Sequence, residues 1–299
     1  MKKTTVPKVA QAPTSEASEP RTPNPEPKRA LVLYSGGLDS RLVVRLLQEQ
    51  GYNVEALYFA LPFGCSCPIC KKMDNLKLTI LDATKEPLLS EYLSMLKKPK
   101  FGTGVGINPC IDCKIFMFKK AKEYADKHGH DIIATGEVPG QRPMSQTAKA
   151  QKTIDEEIKF KIARPLADAG FSGRSRKKQI ALAGKYKIKY PSPGGGCFLC
   201  EKQPAARLKH LLEKNLITEK TISLTMIGRH FYTDNTWFVV ARNELESDTI
   251  SKFETHIEDD EGKPAVYYSK TKGKQKALEL QEAYSTGSED REKFKEVKL

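Results

Sequence analysis

Apolar residues follow two different spacing patterns in the first two thirds of the chain. Short continuous apolar runs predict buried strands, whereas apolar residues spaced three or four positions apart predict helices with one buried face. In chain order, the pattern predicts strands at 30–34, 53–60 and 131–135 and helices at 39–50, 86–96 and 114–128. Strands that alternate with helices are typical of an α/β fold. We therefore expect a Rossmann-like parallel sheet with helices on both faces.

The pattern changes after about residue 205. A helical run at 206–213 is followed by strand-like segments, which predicts a small α+β module. The beginning of the chain is rich in Pro, Thr, Ser and Glu, and its end is rich in Lys and Glu, so neither offers enough apolar surface for a core. We therefore predict a disordered leader at 1–28, an α/β domain at 29–205, the α+β module at 206–270 and a charged, flexible tail at 271–299.

The net charge and the cysteine content of the chain indicate what kind of partner it binds and in which compartment it works. Lys and Arg number 50 against 37 Asp and Glu, and a net charge of +13 favours a polyanionic partner such as nucleic acid. The start of the chain lacks the apolar region of a secretion signal, and no apolar run is long enough to span a membrane. Seven cysteines without such a signal indicate a reducing compartment, so we expect a cytoplasmic protein.

Residues 35–40, Ser-Gly-Gly-Leu-Asp-Ser, follow the first predicted strand directly and open the first predicted helix. Glycines let backbone N–H groups approach an anion, and a helix N-terminus adds unpaired donors. Ser35 and Ser40 add hydroxyl groups, and Asp39 could contact a metal–phosphate complex. Neither the Walker phosphate loop nor the dinucleotide-binding glycine pattern occurs in the chain. We therefore predict a nucleotide site of another type rather than a simple tight turn.

The cysteines fall into three close groups: Cys65, Cys67 and Cys70; Cys110 and Cys113; Cys197 and Cys200. The second group precedes a predicted helix, whose N-terminus would lower the pKa of both thiols. Three interpretations stay open. Structural zinc could use Cys110, Cys113, Cys197 and Cys200. Alternatively, Cys113 and Cys197 could form a redox or persulfide pair, or Cys110, Cys113 and Cys197 could hold an iron–sulfur cluster with one open iron.

Several motifs in order carry a family resemblance. The 35–40 segment resembles the pyrophosphatase loop (PP-loop) of the N-type ATP pyrophosphatases. The later motifs resemble the tRNA-thiolating branch of that family, the relatives of tRNA 4-thiouridine synthases and tRNA 2-thiouridylases; they lie at 106–113, 134–137, 140–146, 164–166, 173–177 and 190–197. The resemblance covers about residues 30–200. Glu137 departs from it, since the 2-thiouridylases usually have His there.

The resemblance implies an enzyme that uses ATP to adenylate a uridine carbonyl oxygen in tRNA and then replaces it with sulfur, releasing AMP and pyrophosphate. Sulfide or a persulfide would donate the sulfur. The implied ATP and Mg²⁺ contacts are Ser35, Gly36, Gly37, Leu38, Asp39, Ser40, Thr135, Gly136 and Arg164. Asp39, Cys113 and Cys197 are the implied catalytic residues. A [4Fe-4S] cluster would be held by Cys110, Cys113 and Cys197, with zinc as the alternative metal.

Two other function classes fit parts of the chain. A PP-loop ligase or amidotransferase acting on a small metabolite would explain residues 35–40, but neither the clustered cysteines nor the positive charge. A non-catalytic, zinc-stabilised RNA-binding protein would explain the charge and the cysteines, but an intact Asp39 argues against it.

Overall fold

The computed structural model describes residues 26–64, 75–102, 106–192 and 197–299. Residues 1–25 of the leader predicted at 1–28 lie outside the described residues, as do Cys65, Cys67, Cys70 and Gly194 to Gly196. Near the start of the described chain is a parallel sheet with the order β3-β2-β1-β4. Its strands are β1 (Arg29–Leu33), β2 (Asn53–Ala60), β3 (Lys77–Asp82) and β4 (Ile132–Thr135).

The central strand β1 is buried on both of its faces. Ala30 and Val32 pack into one apolar cluster, and Leu31 and Leu33 pack into a second cluster on the opposite side. The first cluster is completed by α1 (Leu38–Glu49), α5 (Pro165–Asp168) and α6 (Lys177–Lys185). The second is completed by α3 (Cys110–His128) and α4 (Ala148–Ile158). The predicted α/β fold with helices on both faces of a parallel sheet is thereby confirmed.

The edge strand β3 was not predicted from the sequence. It has an intermediate burial, and Lys77 and Thr79 are polar, so it lacks the continuous apolar run of the central strands. These two side chains instead bind Glu55 on β2, with contacts of 2.9 and 2.8 Å. Between β3 and α3 lies α2 (Leu88–Lys97), close to its predicted position.

The C-terminal part contains a second, antiparallel sheet of four strands with the order β5-β6-β8-β7. The strands are β5 (Arg229–Thr233), β6 (Thr236–Val240), β7 (His256–Ile257) and β8 (Val266–Tyr268), and the helices are α7 (Lys202–Glu213), α8 (Glu244–Ile250) and α9 (Lys274–Ala283). Trp237 and Val239 share one apolar cluster with Tyr92 and Leu208. The domain division at 205/206 stays a prediction.

The prediction of a flexible tail at 271–299 is wrong. Helix α9 buries Ala277, Leu280 and Ala283 against the antiparallel sheet, and Phe294 joins the same cluster. These apolar residues are few and lie among Lys, Gln and Glu. The overall composition of the segment is therefore polar, although one face of the helix is apolar. The last residue is also fixed, since the backbone N–H of Leu299 donates to the carbonyl of His230 at 2.9 Å. Within the described part of the chain, no helix is long and apolar enough to cross a membrane.

Candidate nucleotide and thiol site

The 35–40 loop lies where the strand order of the parallel sheet reverses. From β1 the chain continues to β2 on one side, whereas β4 pairs with β1 on the other side. In open α/β sheets, ligands bind in the crevice at such a point, outside the carboxyl ends of the strands. Within the loop, Gly37 is the N-cap of α1, and it has no side chain to satisfy the first backbone N–H groups of the helix.

Internal hydrogen bonds hold the loop in shape. Gly36 has a φ of 74°, a left-handed conformation that favours glycine, and its carbonyl accepts a 2.7 Å hydrogen bond from the buried Arg41 Nε. The hydroxyl of Ser40 donates to the Gly37 carbonyl at 2.9 Å, and it lies 3.4 Å from the hydroxyl of the exposed Ser35. The backbone is therefore arranged before any ligand binds, which lowers the ordering cost of binding an anion.

Gly136 brings the end of β4 against this loop. A Cβ at Gly136 would lie only 2.8 Å from the backbone carbon of Asp39 and 2.8 Å from the backbone nitrogen of Ser40. Only glycine fits this approach without displacing backbone. The buried Thr135 precedes it as the last residue of β4. The structure thus places Thr135 and Gly136 beside the loop, where the sequence predicted them.

Asp39 has a partly buried carboxylate, and one of its two oxygens accepts a hydrogen bond. Its Oδ2 accepts a 2.8 Å hydrogen bond from Gln141 Nε2, whereas Oδ1 has no hydrogen-bond partner among the described residues. Burial raises the pKa of Asp39, while the Gln141 hydrogen bond and the charges of Arg176 and Arg142 oppose that rise. Since Mg²⁺ takes oxygen ligands, an unpartnered carboxylate oxygen beside an anion-binding loop fits a Mg²⁺–phosphate complex.

Arg164 lies in an ion-pair network instead of pointing freely into the crevice. Its guanidinium donates to both carboxylate oxygens of Asp155, at 3.1 and 2.7 Å, and its Nε lies 3.4 Å from Glu137. Glu137 is 1% exposed and also pairs with Lys114 Nζ at 3.2 Å. Arg164 therefore braces the segment after β4, and its contact with ATP stays a prediction.

The thiol half of the site joins two segments that are distant in sequence. Cys110 and Cys113 occupy the first turn of α3, as predicted, while Cys197 and Cys200 precede α7. The carbonyl of Leu199 accepts hydrogen bonds of 3.0 Å from both backbone N–H groups at 107 and 108, which fastens the two segments together.

The thiol contacts differ from those expected. Cys110 Sγ lies 3.5 Å from the Sγ of Cys200, which belongs to the ligand set of the zinc alternative but not to that of the iron–sulfur cluster. Cys113 Sγ lies 3.1 Å from the hydroxyl of Tyr92, and Cys197 Sγ donates to the carbonyl of Phe63 at 3.8 Å. All four are free cysteines of intermediate exposure.

The prediction that the helix N-terminus lowers the pKa of Cys110 and Cys113 is wrong. Burial raises the pKa of Cys110, and it raises the pKa of Cys113 to about 12. The thiols of the second segment follow the same trend, with the pKa of Cys200 raised by burial to about 11. The loss of solvent around the thiolate outweighs the helix dipole here.

The donor set has the chemistry of a soft-metal site, since thiolates bind zinc and iron–sulfur clusters. Among the described residues, however, no three His, Cys, Asp or Glu side chains already surround one point. The thiols would therefore have to turn towards a bound metal. Cys110, Cys113 and Cys197 are chemically suitable ligands for an iron–sulfur cluster. That they surround one cluster stays a prediction.

An ion pair connects the two halves of the site. Glu137, directly after Gly136, pairs at 3.2 Å with Lys114 of α3, the residue that follows Cys113. The nucleotide loop and the thiols therefore share one edge of the sheet. Sequence reasoning did not select Gln141 or Tyr92 as site residues. Gln141 stood within a recognised motif, whereas Tyr92 looked like any apolar position of α2.

Comparison with known proteins gives the family. The model of the family "Thiamine biosynthesis protein (ThiI)" matches residues 27–214. A tRNA-specific 2-thiouridylase MnmA of Pseudomonas savastanoi pv. phaseolicola is 28% identical over 238 residues, covering 71% of this chain and 62% of the relative. A probable tRNA sulfurtransferase of Halothermothrix orenii is 31% identical over 151 residues, covering 46% of this chain and 35% of the relative.

Among solved structures, a 4-thiouridine synthetase–RNA complex with bound ATP matches with a TM-score of 0.45 and 23% identity, covering 66% of this chain and 52% of that one. The chain spans 62% of the length of the 2-thiouridylase that it matches. The family model covers more than half of the chain and confirms the predicted resemblance to the tRNA-thiolating PP-loop proteins. This protein belongs to the ThiI family.

Proposed function

We propose that this protein is an ATP-dependent tRNA sulfurtransferase, which adenylates a uridine carbonyl oxygen and replaces it with sulfur. The observation that carries the proposal is the common position of two chemistries. The 35–40 loop with the partly buried Asp39 carboxylate and a group of four cysteines lie at one edge of the sheet, where Glu137 after β4 pairs with Lys114 beside Cys113. A ligase for a small metabolite would need the first feature and has no use for the second.

The loop supports the adenylation step. Backbone N–H groups at 37–40 and the hydroxyls of Ser35 and Ser40 would bind the ATP phosphates, and Asp39 would hold Mg²⁺. The uridine oxygen then attacks the α-phosphorus, the bond to the β-phosphate oxygen breaks, and pyrophosphate leaves. The charges of Arg176 and Arg142 oppose the rise in the pKa of Asp39, and the same positive charges would stabilise negative charge that develops on phosphate beside it.

The cysteines support the sulfur step. Sulfur replaces the activated oxygen at the uridine carbon, and AMP leaves with the original oxygen. When bound by Cys110, Cys113 and Cys197, an iron–sulfur cluster would supply an iron that can hold the incoming sulfur. The alternative is a persulfide on Cys113, received from a persulfide donor. Its outer sulfur bonds to the uridine carbon as AMP leaves, the Cys197 thiolate then attacks the Cys113 sulfur and breaks the S–S bond to the transferred sulfur, and the Cys113–Cys197 disulfide that remains is reduced by an external thiol. Cys113 is partly buried against an apolar cluster, which would limit the access of water to either form.

Charge supports tRNA as the substrate. The net charge of +13 suits a polyanion, and Arg176 belongs to a basic stretch at 174–189 that includes α6. Helix α6 packs beside α1, whose N-terminus forms part of the nucleotide loop. A tRNA backbone lying along α6 would bring a uridine towards Asp39.

An anaerobic assay tests the proposal. The full chain is incubated with unmodified tRNA, ATP labelled at the α-phosphate, Mg²⁺ and sulfide, and thiouridine is measured by mass spectrometry of the digested tRNA. We expect thiouridine and labelled AMP from the parent protein, neither from Asp39→Asn, and no thiouridine from Cys113→Ala. The matched control Asp126→Asn changes an exposed carboxylate on α3 and should behave as the parent does. Formation of AMP that tRNA does not stimulate would contradict the proposal and favour a metabolite ligase.

A further inference from the structure

A buried tyrosine hydroxyl faces the thiol half of the site. Tyr92 lies on α2 and is 1% exposed, and its hydroxyl lies 3.1 Å from Cys113 Sγ. The ring packs against Phe116 of α3 with 5.5 Å between ring centroids. The hydroxyl is thus fixed by packing on both helices and cannot turn to water.

Cys113 is the one hydrogen-bond partner that the structure gives this hydroxyl among the described residues. A hydroxyl buried without a partner is destabilising, so an oxygen placed here needs a function that phenylalanine would not serve. Phenylalanine would fill the same apolar space beside Phe116 and would leave no polar atom to satisfy. The hydroxyl is therefore directed specifically at the sulfur.

The direction of this hydrogen bond depends on the state of Cys113. While Cys113 is a thiol, either group can donate. Once the sulfur has lost its proton, as a metal ligand or a nucleophile, only the tyrosine O–H can donate. A hydrogen bond to a charged acceptor is also the stronger of the two. The Tyr92 hydroxyl is therefore placed to donate to the sulfur whenever Cys113 binds metal or incoming sulfur.

We propose that Tyr92 is a positioning residue of the thiol site, which orients the sulfur of Cys113 and stabilises it by a donated hydrogen bond when it binds metal or sulfur. The inference rests on the proposed function in taking Cys113 as a working thiol. It adds a residue that lies 18 or more positions from any cysteine described by the structure, on a helix without cysteine.

Tyr124 supplies a matched control. Its hydroxyl also makes a short hydrogen bond, 2.6 Å to Glu55, but at the other edge of the parallel sheet. Tyr92→Phe and Tyr124→Phe remove the same atom from the same type of side chain. Any effect of hydroxyl loss on general stability appears in both variants, whereas an effect on the thiols appears only in the first.

Cobalt(II) is a direct probe of the thiols, because thiolate ligands give it an intense charge-transfer absorption. The reduced, metal-free full chain is titrated with cobalt(II) alone. We expect the parent to bind, Tyr92→Phe to bind about 10- to 100-fold more weakly, and Tyr124→Phe to match the parent. In a Cys113→Ser background, Tyr92→Phe should cause no further loss, since its target is gone.

The outcomes separate the two proposals. Equal cobalt affinity of Tyr92→Phe and the parent overturns the positioning role, as does an equal loss in Tyr124→Phe. A parent protein that binds no cobalt through its thiols also overturns it, while thiouridine formation in the tRNA assay would leave the proposed activity standing. Thermal unfolding of each variant shows that the folded state is being compared.

Discussion

The parallel sheet has a carboxylate near the start of its strands, which we call the amino edge, and another near their carboxyl ends, the carboxyl edge. The hydrogen-bonding surroundings of these two carboxylates differ. At the amino edge, Glu55 has a 4% exposed side chain and accepts hydrogen bonds from Tyr124, Thr79 and Lys77 at 2.6 to 2.9 Å. At the carboxyl edge, Asp39 has Gln141 as its hydrogen-bond donor and keeps Oδ1 unpartnered among the described residues. Both carboxylate oxygens of Glu55 accept hydrogen bonds from the protein, whereas Asp39 keeps one oxygen that a ligand could use.

The pKa values follow this difference. Burial alone would raise the pKa of Glu55, but the hydrogen bonds from Tyr124, Lys77 and Thr79 hold it at about 2. For Asp39, burial prevails and the pKa is raised. The hydrogen bonds at the amino edge therefore stabilise the fold through the charged form of Glu55, whereas Asp39 at the carboxyl edge keeps an oxygen without such a partner among the described residues.

Asp39→Asn gives the largest expected effect on activity. Loss of the Mg²⁺ ligand should lower ATP cleavage by about 10³-fold, in the range seen when one preorganised group around a developing charge is removed. The free energy of unfolding should change by less than about 1 kcal/mol, because no satisfied ion pair is broken. Quenched-flow detection of labelled AMP and denaturant unfolding check the two parts. A large loss of stability would contradict the division between the edges.

Gly136→Ala should reduce ATP cleavage by about 100-fold. The added Cβ would lie 2.8 Å from the backbone of Asp39 and Ser40, so the two loops must separate, and displacements of about 1 Å in an active site have effects of that size. Calorimetric titration with ATP and steady-state rates measure the loss. Gly184→Ala is the control, since a Cβ at Gly184 meets no atom within 4 Å. Equal behaviour of the two variants would contradict the close approach of β4 to the loop.

Glu55→Gln should lower the free energy of unfolding by about 3 kcal/mol, because it removes the buried charge that pairs with Lys77 and replaces one of the two acceptor oxygens by an NH2 donor. ATP cleavage by the protein that remains folded should match the parent, since the amino edge does not touch the ligand. Urea unfolding and the thiolation assay measure these two quantities. A variant with normal stability and impaired catalysis would reverse the assignment of the two edges.

The same carboxylate predicts a pH dependence of stability. The folded state lowers the pKa of Glu55 from 4.5 to about 2, so its contribution is complete above about pH 5 and is lost as the pH falls towards 2. The difference in unfolding free energy between the parent and Glu55→Gln should therefore shrink over this range. Urea unfolding at several pH values measures it, and a difference that stays constant down to pH 2 would contradict the lowered pKa.

Sequence alone predicts the parts of this protein that depend on local pattern. Strands β1, β2 and β4 are mostly buried and consist largely of apolar residues, so the sequence predicts them at nearly their observed bounds. The edge strand β3 was missed because its polar side chains serve Glu55. The C-terminal helix α9 was missed because its apolar positions are sparse.

Some features of the candidate site can likewise be predicted from the sequence, and others cannot. The 35–40 loop, Gly136 and the cysteine pairs are visible in the sequence because their residue types have few alternative uses. The contacts of Cys113 with Tyr92 and of Cys110 with Cys200 arise from packing between distant segments, which no local pattern contains. Burial likewise reverses the thiol pKa predicted from the helix N-terminus, because the extent of burial is a property of the tertiary fold.

The most direct test of the central claim is the molar ratio of AMP released to sulfur incorporated into tRNA by the full chain, measured anaerobically in one reaction. One site that contains both chemistries predicts equal amounts, with both lost in Asp39→Asn. Thiouridine formed without ATP cleavage, or AMP formed with no sulfur in the tRNA, would contradict the account and separate the nucleotide loop from the thiols.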